Sequence, residues 1–128
     1  MDNELFVTYE RALALKELGF DEMCFGFYRN PSIELMHCRN SEPWMGNAVV
    51  AAPLKQQVFK FFREKYELGH TICPYYFNAN ITELQDVDDY PLQHEVYVSS
   101  PFTYEEAENA CIDKLISICK HQDNGTSN

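Results

Sequence analysis

Three times along the chain the apolar residues recur at helical spacing, and two pairs of short strand-like runs stand between these stretches. This switching of period constrains the fold more than any single motif. In the first stretch Ala12, Leu13, Leu15 and Leu18 make an apolar stripe. Thr8 suits the N-cap, Glu10 the positive end of the dipole, and Gly19 the left-handed position after the last turn, so a helix is expected over 9–18. The second begins with Pro53 at its first helical position and carries Leu54, Val58, Phe61, Phe62 and Tyr66, with Phe59 widening the arc and Gly69 closing it. Lys60 and Arg63 fall outside that arc. Lys55 and Lys65 fall near or within it, so each must snorkel or meet a partner. The third stretch opens at Thr103, with Glu106 placed to complete a capping box, and continues through Ala107, Cys111, Leu115, Ile118 and Cys119.

Between the helices, 23–28 (MCFGFY) and 33–38 (IELMHC) read as a hairpin around a turn at 29–32. A long loop over 39–52 holds Trp44 at its middle. Further on, 70–78 (HTICPYYFN) reads as a strand that Pro74 confines to an edge or bulge, 80–91 as an acidic connection, and 93–99 as a last strand. The resulting order, α-β-β-α-β-β-α, predicts an α+β fold: one antiparallel four-stranded sheet with three helices packed on it. A chain of 128 residues suits one domain over 1–120 with a flexible polar tail over 121–128.

The first and third helices open alike, as T-Y-E-x-A. Capping explains the Thr and one Glu in each, but not Tyr9 and Tyr104, which are expected to anchor the helix starts.

Ten basic against twenty acidic residues leave a net charge of −10. Between Tyr66 and Asp113 there is no Lys or Arg but ten acids, Asp113 included. Binding to a nucleic-acid backbone, which needs clustered cations, is not expected. Apolar runs are too short for a membrane span, and the acidic N-terminus lacks the basic and apolar regions of a secretory signal, so a cytoplasmic location is expected. Five cysteines (Cys24, Cys38, Cys73, Cys111 and Cys119), odd in number and without a C-x-x-C pair, predict free thiols.

Phosphate-loop, dinucleotide and zinc-protease motifs are absent from the sequence, and no cofactor is expected. Asp86, Asp88 and Asp89 resemble half of a calcium loop, but Pro91 and Tyr97 stand where the Gly and Glu of that loop belong. Cys24, His37, Cys38, His70 and Cys73 are a group with metal-ligand chemistry, brought together if the hairpin turns about Asn30-Pro31. The ordinary role of strand cysteines is as small core residues. Trp44 is the strongest candidate contact residue, and the acidic surface a candidate for steering a basic partner.

The segments TYERALALKELGFDEMC (8–24), APLKQQVFKFFREKY (52–66) and TYEEAENACIDKLI (103–116) resemble, in order and spacing, a family of small proteins from phages and prophages of gut Bacteroidetes. The resemblance implies a phage-derived protein of the bacterial cytoplasm and brings no catalytic residues. The reading reached is a non-enzymatic accessory protein. It binds a host or phage protein through Trp44 and an acidic surface containing Asp86, Asp88 and Asp89, as an inhibitor or a nucleic-acid mimic. A homo-oligomer is a further expectation. The alternative is a small metal-binding protein or enzyme built on the Cys24/His37/Cys38/Cys73 neighbourhood, or a nucleotide binder holding phosphate with Lys55, Lys60 and Arg63.

Overall fold

The computed structural model of the chain describes residues 5–29, 32–46, 49–73, 78–84, 93–98 and 103–126. Its elements are α1 (Tyr9–Glu17), β1 (Cys24–Arg29), β2 (Ser32–Cys38), β3 (Val49–Ala51), α2 (Lys55–Lys65), β4 (Leu68–Cys73), β5 (Asn78–Glu83), β6 (Gln93–Val96) and α3 (Tyr104–Thr126). The class is α+β. The expected single four-stranded sheet is overturned: the strands form two three-stranded antiparallel sheets, β2-β1-β3 and β4-β5-β6.

Two strands account for the difference. β3 is three residues long and buried throughout, so it carries no alternation and disappears into the expected loop over 39–52. It exists because its backbone pairs with β1, Phe27 opposite Ala51 and Arg29 opposite Val49. β5 reads Asn-Ala-Asn-Ile-Thr-Glu, and its two Asn are poor strand formers. Pairing on both sides decides its conformation, with Ala79 and Ile81 alternating into the core. It takes the place of most of the expected acidic connection's first residues.

The chain divides into two compact units, Met1–Val58 and Phe59–Asn128. In the first, the Thr8 hydroxyl accepts from the Arg11 amide at 3.4 Å and starts α1. At the other end Gly19 has φ 91°, a conformation glycine adopts without penalty. Phe20 N donates to Leu15 O and Gly19 N to Lys16 O, closing the helix in a Schellman arrangement. Tyr28 reaches back from β1 to the start of this helix. Its hydroxyl donates to Val7 O at 2.6 Å, and its ring meets Tyr9 edge-on at 5.9 Å. Tyr9 is thus half-buried at its helix start by a ring contact, while the anchoring hydroxyl is that of Tyr28.

Asn40 clamps the segment after β2, donating to Phe20 O and accepting from Ala51 N, each at 2.9 Å. Beyond it the chain turns tightly: Glu42 N donates to Arg39 O, Met45 N to Glu42 O and Gly46 N to Trp44 O. Met45 is buried. Trp44 therefore stands on a fixed run of turns.

α2 begins at Lys55 rather than Pro53, whose carbonyl instead accepts from Val7 N at 3.1 Å. Gln57 reaches back three residues to accept from Leu54 N at 2.9 Å, supplying half of a capping box without Ser or Thr. The helix ends with Glu67 at φ 56°, and the expected terminator Gly69 lies inside β4.

In the second unit α3 packs against β4, β5 and β6 with Ala107, Cys111, Ile112, Leu115, Ile116 and Cys119 buried. Its start is the expected capping box: Thr103 N donates to Glu106 Oε1 at 3.0 Å, and Glu106 N to Thr103 Oγ1 at 3.1 Å. Two hydrogen bonds to its carboxylate hold the Glu106 carboxyl below the usual range. Tyr104, 48% exposed, does not act as an anchor.

Candidate functional site

Strand alternation sorts the first sheet's side chains onto two faces. Cys24, Gly26 and Tyr28 lie on one, opposite Cys38, Leu35 and Ile33 of β2. Phe25, Phe27 and Arg29 lie on the other, with Glu34 opposite Phe27 and Ser32 opposite Arg29. Near Phe25 the register slips. Between the Cys24–Cys38 and Gly26–Leu35 pairs β1 advances by two residues and β2 by three, a bulge that sets Met36 and His37 against Phe25.

This second face is rich in exposed aromatic and sulfur-bearing side chains. Trp44 crosses Phe27 edge-on, centroids 5.3 Å apart at 75°, while remaining 43% exposed itself. The Arg29 guanidinium lies 5.9 Å from the Phe27 ring centre and also pairs with Glu34 at 3.2 Å. Between them these groups bury Phe27. Phe25, itself half-exposed, meets the exposed His37 edge-on at 5.3 Å, and Met36 is exposed beside them. The result is an open patch with Trp44 at one side and Phe25 with His37 at the other, of the composition that interface contacts favour.

The Cys/His group separates by face. Cys24 faces Cys38, not His37, and both thiols are fully buried. Cys24 Sγ donates to Glu22 O at 3.3 Å, and Cys38 Sγ to Gly26 O at 3.2 Å. Burial, with Cys38 and then Glu22 and Asp21 adding, pushes the Cys24 thiol up to about 12; burial and Glu42 raise Cys38. His37 is drawn away by the bulge. In the second unit His70 stacks flat on Phe59, centroids 3.6 Å apart at 8°, and burial followed by the Arg63 charge lowers its pKa. Cys73 lies three residues along the same strand and is half-buried. Among the described residues no three His, Cys, Asp or Glu side chains gather where a metal ion would sit.

Nor do the proposed phosphate ligands form one surface. Lys55 is 5% exposed, whereas Lys60 and Arg63 are exposed. Lys65 snorkels as its position in the arc requires, its ammonium 5.5 Å from the Phe61 ring and 5.3 Å from the Tyr66 ring. Asp86, Asp88 and Asp89 lie outside the described residues.

Sequence reasoning missed three features. Phe25, Met36 and His37 were read only as strand residues or ligands, and strict alternation would have placed Phe25 and Phe27 together, though not the bulge. In the second unit His94 Nε2 and Glu83 Oε2 lie 2.9 Å apart, both half-buried, joining β6 to β5. α3 also carries a shallow open groove of about 380 Å³ lined by Asp113, Ile116, Ser117, Lys120 and His121.

Fold and surface together define an α+β protein with an open aromatic sheet face. No protein-family model, curated protein or solved structure matches the chain. Among the described residues no helix is long and apolar enough to cross a membrane.

Proposed function

We propose that the chain acts by binding a protein partner, with the patch of Trp44, Phe25, Met36 and His37 as the contact and the surplus negative charge as the steering field. The observation that carries this reading is Trp44: a large aromatic ring held on a run of turns, with 43% of its surface left in solvent. Holding such a ring in place before contact reduces the ordering cost of binding. The net charge of −10 favours a basic partner and raises the rate of encounter at low ionic strength. The setting proposed is that of a phage-derived accessory protein inside a bacterial host, which rests on the resemblance of its three long segments to phage proteins.

The test is salt dependence. Proteins retained on the immobilised chain from a bacterial lysate at low salt are eluted with a salt gradient, and association rates of the purified partner are then measured at several ionic strengths. Association that slows steeply with salt is expected, and a salt-independent rate removes the steering role.

A further inference from the structure

We propose that Cys24 and Cys38 form a redox site: a cross-strand dithiol that a small-molecule disulfide of the glutathione class converts to an intrachain disulfide. The two residues are direct partners across the β1–β2 ladder, so their side chains share one face of the sheet. Opposed residues of an antiparallel pair have Cα atoms roughly 4.5–5.5 Å apart, inside the span of about 4.4–6.8 Å that a disulfide bridges. The register slip begins beside this pair, where backbone adjustment is least costly to the rest of the ladder. No third cysteine lies opposite either residue in the strand pairing, and neither Cys24 nor Cys38 is in a disulfide.

The chemistry is two successive exchanges. One thiol of the pair loses its proton to water, and its sulfur attacks the small disulfide, expelling one small thiolate that takes up a proton. The second, likewise deprotonated, attacks the mixed disulfide and expels the other small thiol. Two protein thiols are oxidised, one small disulfide is reduced to two thiols, and the protons balance. Complete burial means that exchange waits for the open end of the hairpin to part. The site needs nothing of the binding reading above.

The experiment equilibrates the folded full-length chain in buffers running from reduced to oxidised glutathione, quenches with acid, alkylates and maps the peptides by mass. A Cys24–Cys38 linked peptide is expected to accumulate towards the oxidised end and to vanish with dithiothreitol. The link closes a short loop, so the melting midpoint should rise by roughly 5–10 °C, and Cys38→Ala should abolish that rise. Both thiols recovered free from the native protein in oxidised buffer, glutathione mixed disulfides at either position without the link, or a link that forms only in urea would each overturn the proposal.

Discussion

Trp44 covers Phe27 edge-on at 5.3 Å and 75°, burying the strand residue while leaving 43% of its own surface exposed. One ring thus completes the packing of the first sheet and offers a face to solvent. Trp44→Ala should cost about 1–2 kcal/mol, below the loss for a core Trp because half of the ring is already hydrated. Denaturant unfolding checks this. Trp44 is the chain's single Trp, so acrylamide quenching of the native wild-type protein, expected to be substantial, independently reports its exposure.

The capping box at α3 gives a second expectation. Thr103→Ala removes the hydroxyl that receives the Glu106 amide and should destabilise by about 1 kcal/mol in thermal or urea melts. The Glu106 carboxyl is depressed by its bonds to Thr103, so its contribution is present above its unfolded pKa and is lost as pH falls through the folded one. Thr103→Ala keeps the backbone N–H that donates to Glu106 Oε1, so the matching variant is Glu106→Ala, and the wild-type advantage over it should shrink in acid. An advantage unchanged at low pH would refute the reciprocal bond.

His70 titrates with the same sign, in a higher pH window. Its folded pKa lies below the ordinary 6.5, because burial and then Arg63 disfavour the cation. The unfolded chain binds the extra proton first as pH drops, so stability should decline below about pH 6.5 and level off beneath the folded pKa. His70→Phe keeps a ring on Phe59 and removes the proton, so its melting midpoint should depend less on pH over that window.

At Gly26 a β-carbon would lie 3.0 Å from Glu34 O, a backbone atom of the neighbouring strand, and 3.5 Å from Leu35 Cδ2. Gly26→Ala should therefore push β2 outward and cost about 1–3 kcal/mol. Amide exchange of the β1–β2 hairpin should quicken more than that of α3.

The helices were legible because each signal was local. Thr8, Gly19, Thr103 and Glu106 do what their positions in the chain predict, and the apolar arc of α2 is carried by residues three and four apart. The sheets were less legible because their deciding contacts are distant. Val49 to Ala51 become a strand only by meeting Phe27 to Arg29, and Asn78 and Asn80 are held in one against their own preference. At the candidate surface Trp44 was visible from its rarity and its loop. The parting of His37 from Cys24 and Cys38 was not, because it depends on one inserted residue in β2, and a single-residue slip moves a side chain to the other face.

The central claim is that the Trp44 face is a contact surface. Matched captures from bacterial lysate should use wild-type chain, Trp44→Ala and, as a control on an 87% exposed aromatic, Tyr97→Ala. The account predicts a protein retained by wild type and Tyr97→Ala and reduced at least tenfold on Trp44→Ala, as removing a central aromatic anchor does. Equal retention by all three, with Trp44→Ala shown to be folded, would contradict it.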